Sequence, residues 1–145
     1  MPVYGACVNT FLPYPNFIAS VKALDYRRLG KQRVEAMQLV NSTLKLAADP
    51  NARVGWANHP ARTMWLGHLG ALRLYHNICI QEWIDRGYKN NMKFYELPDD
   101  IDMPPWLGDD DLHASHRSNL LRKDPVYYGR HGWVEPDDMP YVWPV

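Results

Sequence analysis

Apolar residues recur at steps of three and four along a long stretch that follows Asn16. Phe17, Val21 and Leu24, and further on Met37, Val40 and Leu44, recur at these steps. The pattern predicts a helix from an N-cap at Asn16 to about Ala48. Gly30 lies inside it, where a glycine costs ~1 kcal/mol relative to alanine. Close approach of another backbone, or a local kink, is therefore expected there. A second helical pattern runs from about Ala61 to Arg86, with Met64, Leu69, Leu72, Tyr75, Ile78, Cys79 and Trp83 on a wide apolar face. Gly87 is placed to stop it. A third, shorter helix is expected from Asp109–Asp111 to about Arg122, its acids at the positive end of the helix dipole. The stretches between are irregular. Pro13 and Pro15 interrupt "NTFLPYP", Pro98, Pro104 and Pro105 interrupt residues 88–108, and four prolines interrupt the tail from 124. Tyr127, Tyr128, Trp133, Tyr141 and Trp143 of that tail are expected to pack across the helices. No stretch alternates as a strand does, and no repeat or linker divides the chain. The expectation is an all-α, compact single domain over residues 1–145: three main helices, long loops and an aromatic-rich C-terminal tail.

Composition adds little to the fold but bounds the setting. The 145 residues are enough for one real core. No apolar run approaches the ~20 residues that span a bilayer. No basic segment leads into an apolar one at the N-terminus, so no signal peptide is expected. Cys7 and Cys79 are too few for a disulfide framework, which fits a reducing cytoplasm. No metal-type C-x-x-C spacing is present.

Charge changes the picture more. The formal net charge is zero, yet Arg27, Arg28, Lys31 and Arg33 crowd one short piece of the first helix. Residues 98–111 carry six aspartates and no cation. Arg117, Arg122, Lys123 and Arg130 then make the chain basic again. A neutral protein can still present a basic face to a polyanion within a Debye length. Basic clusters interleaved with aromatics suit nucleic acid, since cations hold phosphates and rings stack on bases.

Three stretches are candidate sites. In "LDYRRLGKQRVEA" the cations cover a broad arc of helix, where a charged solvated face paired to Glu35 is the plain alternative. In "HASHRSNLLRKDP", His113 and His116 lie three apart beside Arg117, Ser118 and Asn119. This spacing lacks the further ligands of a zinc motif, so no metal is expected. Phosphate contacts from Arg117, Arg122 and Lys123 are expected instead, with buried structural histidines as the alternative. In "GWANHPARTMW", Asn58 and His59 precede a helix start, which offers N–H groups to an anion or simply forms a capping turn. Glycine-rich nucleotide loops and a G-x-S-x-G nucleophile are absent.

"NTFLPYP", "LD..RLGKQRVEA", "W.NHPA..MW", "EW..RGYK", "PPWLGD" and "HASHRSNLLRKDP..Y" begin at Asn9, Leu24, Trp56, Glu82, Pro104 and His113. Taken together they resemble the pyrimidine-dimer DNA glycosylase family, the small endonuclease-V-type enzymes of phages and bacteria. The resemblance covers nearly the whole chain from Val8. It implies an all-α fold and base excision in which an N-terminal α-amine attacks the deoxyribose C1′. A Schiff base forms, a first-helix glutamate supports the chemistry, and β-elimination nicks the strand. An α-amine with a pKa near ~8 is partly neutral at physiological pH, and a carboxylate can stabilise charge developing on the sugar. First-helix arginines would hold and bend the duplex while a base leaves the stack.

Two positions depart from the family pattern. Its glutamate aligns with Arg28, leaving Asp25 as the first candidate carboxylate and Glu35 as the second. Its terminal residue aligns near Ala6, so an amine at Pro2, exposed by loss of Met1, would have to fold back. His116 is a further acid–base candidate. The resemblance implies DNA contacts from Arg27, Arg28, Lys31, Gln32, Arg33, Asn58, His59, His113, Arg117, Asn119, Arg122 and Lys123. The expected function is a DNA glycosylase, with abasic-site lyase activity, acting on damaged or modified pyrimidines in duplex DNA. It would work as a monomer without cofactor, metal or membrane, in the cytoplasm of a bacterial or phage-infected cell. The alternatives are a catalytically altered protein that binds distorted or modified DNA or inhibits a host factor, an enzyme acting on a modified base or free nucleotide, and a plain helical interaction module.

Overall fold

A computed structural model describes residues 8–54 and 58–144, so the expected nucleophile at Pro2 lies outside the described residues. Among the described residues six α-helices appear in chain order: α1 (Phe17–Ala23), α2 (Tyr26–Ala48), α3 (Pro60–Thr63), α4 (Leu69–Asp85), α5 (Asp110–Lys123) and α6 (Pro125–Tyr128). A 3₁₀ turn at Gly129–His131 follows, and no strand occurs among the described residues. The all-α expectation therefore holds.

Two of the expected helices are broken. The first splits at Leu24 and Asp25, both of which are extended. Neither glycine nor proline causes this. The freed backbone groups are taken up by the distant tail: Tyr127 Oη donates to Leu24 O at 3.3 Å, and Asp25 N–H donates to Tyr128 Oη at 3.0 Å. A ring nitrogen of His131 lies 3.1 Å from Ala23 O. Local periodicity cannot foresee a break that is stabilised from 103 residues away. The second expected helix breaks between α3 and α4, where Gly67 takes a left-handed φ of 80°. Trp106 Nε1 donates to the Met64 carbonyl there at 2.8 Å. The caps at Asn16 and Asp109 form as expected, accepting from Ala19 and Asp111, and Gly87 ends α4 with a φ of 91°.

α2 and α4 form the central antiparallel pair. Tyr26 stacks on Trp83 near one end, and Gln32 meets Tyr75 further along. Gly30 is explained here, although its neighbour is a side chain and not a backbone. A Cβ at Gly30 would lie 3.1 Å from the Trp83 ring. The ring is itself held by Tyr26, by the Arg33 guanidinium 4.2 Å above it and by a 2.8 Å bond to the Lys89 carbonyl. Leu29, Ala36, Leu39 and Val40 of α2 meet Leu72, Tyr75 and Cys79 of α4 in the core, which α5 closes with Leu112 and Leu120. Among the described residues, no helix is long and apolar enough to cross a membrane.

Candidate functional site

The irregular segment 9–14 runs through the middle of this helical frame. A buried segment outside regular structure must find partners for its backbone groups elsewhere. Here side chains supply them. Asn9 N–H donates to Glu35 Oε1 at 2.9 Å and Phe11 N–H to Gln32 Oε1 at 3.1 Å. Leu12 N–H donates to His116 Nδ1 at 2.8 Å. On the acceptor side, Asn9 O receives Gln32 Nε2 at 3.0 Å, Phe11 O receives Tyr75 Oη at 3.0 Å and Pro13 O receives Arg117 at 2.8 Å. Leu12 O lies 2.7 Å from His113 Nδ1, and a carbonyl can only accept, so His113 donates from Nδ1. Its Nε2 then accepts Gly108 N–H at 2.9 Å, which fixes a neutral ring.

Several of the residues expected to contact DNA are engaged inside the protein. Gln32, His113, His116 and Asn119 are buried. The first three hold segment 9–14, while Asn119 ties α5 to the tail through Ser115 O and Met139 O. Arg117 holds Pro13 O and pairs with Glu135 at 2.8 Å. Burial, with His113 beside it, drives the His116 pKa down to about 3. A ring with that pKa is neutral throughout the physiological range.

The two candidate carboxylates sit in contrasting environments. Asp25 is the N-cap residue of α2 and is buried. Its carboxylate accepts a short hydrogen bond from Tyr128 Oη and pairs with Arg28 at 3.3 Å. Glu35 lies nearly three turns further on. Partial burial lifts its pKa to about 7, against the opposing pull of the Asn9 N–H bond and then of Lys31 and Lys123. A carboxyl group near neutrality can both donate and accept a proton at physiological pH.

The surface around Glu35 is basic. Lys31 is exposed on α2, and Arg122 and Lys123 are exposed at the end of α5. The Lys123 ammonium lies 6.0 Å from the Phe11 ring. Its pKa is lowered by partial desolvation and then by the surrounding Arg28, Arg122 and Lys31, with Glu35 opposing. Beside this cluster a cleft of about 420 Å³ is lined by Asp25, Tyr26, Arg27, Arg28, Lys123, Asp124 and Tyr127. Arg33 faces the other way, towards Trp83 and Met92.

An aromatic wall adjoins the basic surface. Asn9 Nδ2 donates to Tyr141 Oη at 3.1 Å, so one residue joins Glu35 to the tail. Tyr141 stacks on Trp143 with centroids 4.9 Å apart, and both meet the His116 ring edge to face. Trp143 also meets His59 at 6.2 Å. His59 caps the four-residue α3 by accepting Ala61 N–H on Nδ1 at 3.0 Å, so the capping-turn alternative describes it. Asn58 is exposed just before it. Asn9, Tyr141 and Trp143 were not singled out from the sequence as site residues. Nothing in periodicity or charge links residue 9 to residue 141. Among the described residues, no group of three His, Cys, Asp or Glu is placed to hold a metal ion.

A family model described as pyrimidine dimer DNA glycosylase matches residues 8–96, which include segment 9–14, α2 and Glu35. Neither the curated proteins nor the solved structures contain a match to the chain.

Proposed function

The chain belongs to the pyrimidine dimer DNA glycosylase family, and on that premise we propose that it excises a damaged or modified pyrimidine from duplex DNA and then nicks the strand as an abasic-site lyase. The observation that carries the reading is Glu35: a carboxyl group with a pKa of about 7, set between Lys31 and Lys123 and bonded to the Asn9 amide of the irregular segment. Such a group can assist departure of a base and move protons at the sugar, while the cations around it suit the flanking phosphates.

In this reading a protein amine adds to C1′ as the base departs with the glycosidic electron pair. Ring opening gives an iminium ion, which makes the C2′ proton acidic. Removal of that proton expels the 3′-phosphate by β-elimination, and water then releases the unsaturated sugar from the amine. Arg27, Arg28, Lys31 and Arg122 hold phosphates. Asp25 positions α2 and Arg28 and does not touch the sugar. Tyr141, linked to Glu35 through Asn9, and its stacking partner Trp143 supply the rings on which an unstacked base would gain stacking energy.

The test is incision of ultraviolet-irradiated, abasic and undamaged duplexes, with and without borohydride. Damage-dependent nicking with a borohydride-stable protein–DNA adduct is expected. A second reading follows from the family resemblance, which implies a glutamate where this chain carries Arg28. On it the protein binds distorted DNA without turnover, and salt-sensitive binding with neither nick nor adduct would establish that instead.

A further inference from the structure

The site assembled above contains a candidate for the amine itself. We propose that Lys123 Nζ is the nucleophile that joins the protein to the deoxyribose C1′. The inference rests on the lyase reading and names its covalent residue.

Three observations carry it. First, Lys123 is in the right kind of space. It lines the cleft of about 420 Å³ together with Arg27 and Arg28, which suit the phosphates on either side of a sugar, and with the rings of Tyr26 and Tyr127. Second, neither carboxylate that lines its cleft is paired with it. Both carboxylates of the cleft are engaged elsewhere: Asp25 with Tyr128 and Arg28, and Asp124 with the Tyr127 N–H at 3.1 Å. Among the described residues Lys123 forms no ion pair, although the protein carries as many acids as bases. Third, its neighbours are cations. Partial desolvation first, and then Arg28, Arg122 and Lys31, disfavour its ammonium form, and Glu35 is the acid whose field opposes them. A lysine crowded by other cations gives up its proton more readily, which is how a lysine becomes a nucleophile near neutral pH. The carbonyls of the last turn of α5 favour the cation, but the net direction of the shift is downward. The root of the side chain is also fixed, because Leu120 and Leu121 just before it are buried.

The step balances. The neutral Lys123 amine adds its lone pair to the C1′ aldehyde of an abasic site and gives a carbinolamine. Protonation of the hydroxyl and loss of water leave the iminium ion. In this step Glu35, the acid whose charge acts on Lys123, accepts the proton the amine sheds and returns it to the departing hydroxyl. Loss of the C2′ proton then expels the 3′-phosphate with its electron pair, and hydrolysis restores the amine. Borohydride supplies hydride to the iminium carbon and fixes it as a stable secondary amine.

The test traps the full-length protein on an abasic duplex with borohydride and locates the adduct by peptide mass spectrometry. The adduct is expected on Lys123. Lys123→Arg keeps the phosphate-binding charge but stays protonated, so duplex affinity should hold within about threefold. Its adduct yield should fall by about 100-fold or more, as expected when a covalent nucleophile is removed. An adduct on the N-terminal amine, or undiminished trapping by Lys123→Arg, would overturn Lys123 and leave the lyase reading standing. Incision without any adduct would also overturn it. If the wild-type protein neither incises nor is trapped, the lyase reading fails, and the assignment of Lys123 fails with it.

Discussion

At the scale of single residues, chemistry divides the two carboxylates that the sequence left open. Asp25 is saturated by a phenol and a guanidinium, and those partners hold a helix start to the tail. Asp25→Ala should therefore cost about 1–3 kcal/mol of stability, the usual penalty for orphaning buried hydrogen-bonding partners. Asp25→Asn, which keeps an acceptor, should retain most of the nicking activity. Urea unfolding alongside the nicking assay separates these effects. Glu35 behaves differently. Its carboxyl pKa is about 7 in the folded protein, above its ordinary value of 4.5, so the folded state holds the proton more tightly. The linkage sign follows: the folded state binds more protons between those pH values, so stability declines as pH rises from 4.5 towards 7. Glu35→Gln should remove that slope, raising the melting temperature more at pH 8 than at pH 5. The same variant should lose about 10²–10⁴-fold in excision rate, as expected for removal of a general acid–base group. Single-turnover excision across the pH range checks this, and an unchanged rate would remove Glu35 from the mechanism.

At the scale of elements, the sequence announced some features and hid others for identifiable reasons. Caps at Asn16 and Asp109 and the stop at Gly87 are local chemistry, and they appear where expected. The break at Leu24–Asp25 is non-local, since tail residues Tyr127, Tyr128 and His131 take up the freed backbone groups. Likewise Gln32, His113 and Arg117 read as candidates for DNA contacts and His116 as an acid–base candidate, because a sequence does not show that segment 9–14 will need their hydrogen bonds. Lys31, Arg122 and Lys123 remained visible as charge and stayed on the surface. Gly30 offers a direct test of element packing. In an open helix, Gly→Ala would add ~1 kcal/mol of stability. Here the new methyl would press on a tryptophan ring that is pinned on several sides. Gly30→Ala should gain nothing, and Gly30→Val should cost about 1–3 kcal/mol, the range for overpacking. Chemical denaturation measures both.

At the scale of the whole molecule, zero net charge conceals a polarised surface. Arg27, Arg28, Lys31, Arg122 and Lys123 gather around one cleft and carboxyl group, while aspartates 109, 110 and 111 lie at the opposite end of α5. Duplex affinity should therefore fall steeply with salt despite the neutral formula, because each phosphate contact releases condensed counterions. If four or so phosphates are neutralised, the slope of log K against log salt is about −3 to −4. Arg27→Ala should reduce its magnitude by about one, uniformly across sequences. Fluorescence anisotropy over a salt series reads both quantities, and a flat profile would place the DNA elsewhere on the molecule.

Segment 9–14 has one more consequence. Its backbone is satisfied by side chains of α2, α4 and α5, and the Leu12 amide waits for a histidine 104 residues downstream. During synthesis that early segment leaves the ribosome long before His113, His116 and Arg117 exist to receive it, and Asn9 must wait longer still for Tyr141. The stretch that frames Glu35 is therefore a keystone set late, and a nascent chain exposes cations to nucleic acid before it holds a finished site. Refolding should show the same order in time, with helix content recovering before the tryptophan environment, since contacts this distant in sequence close slowly.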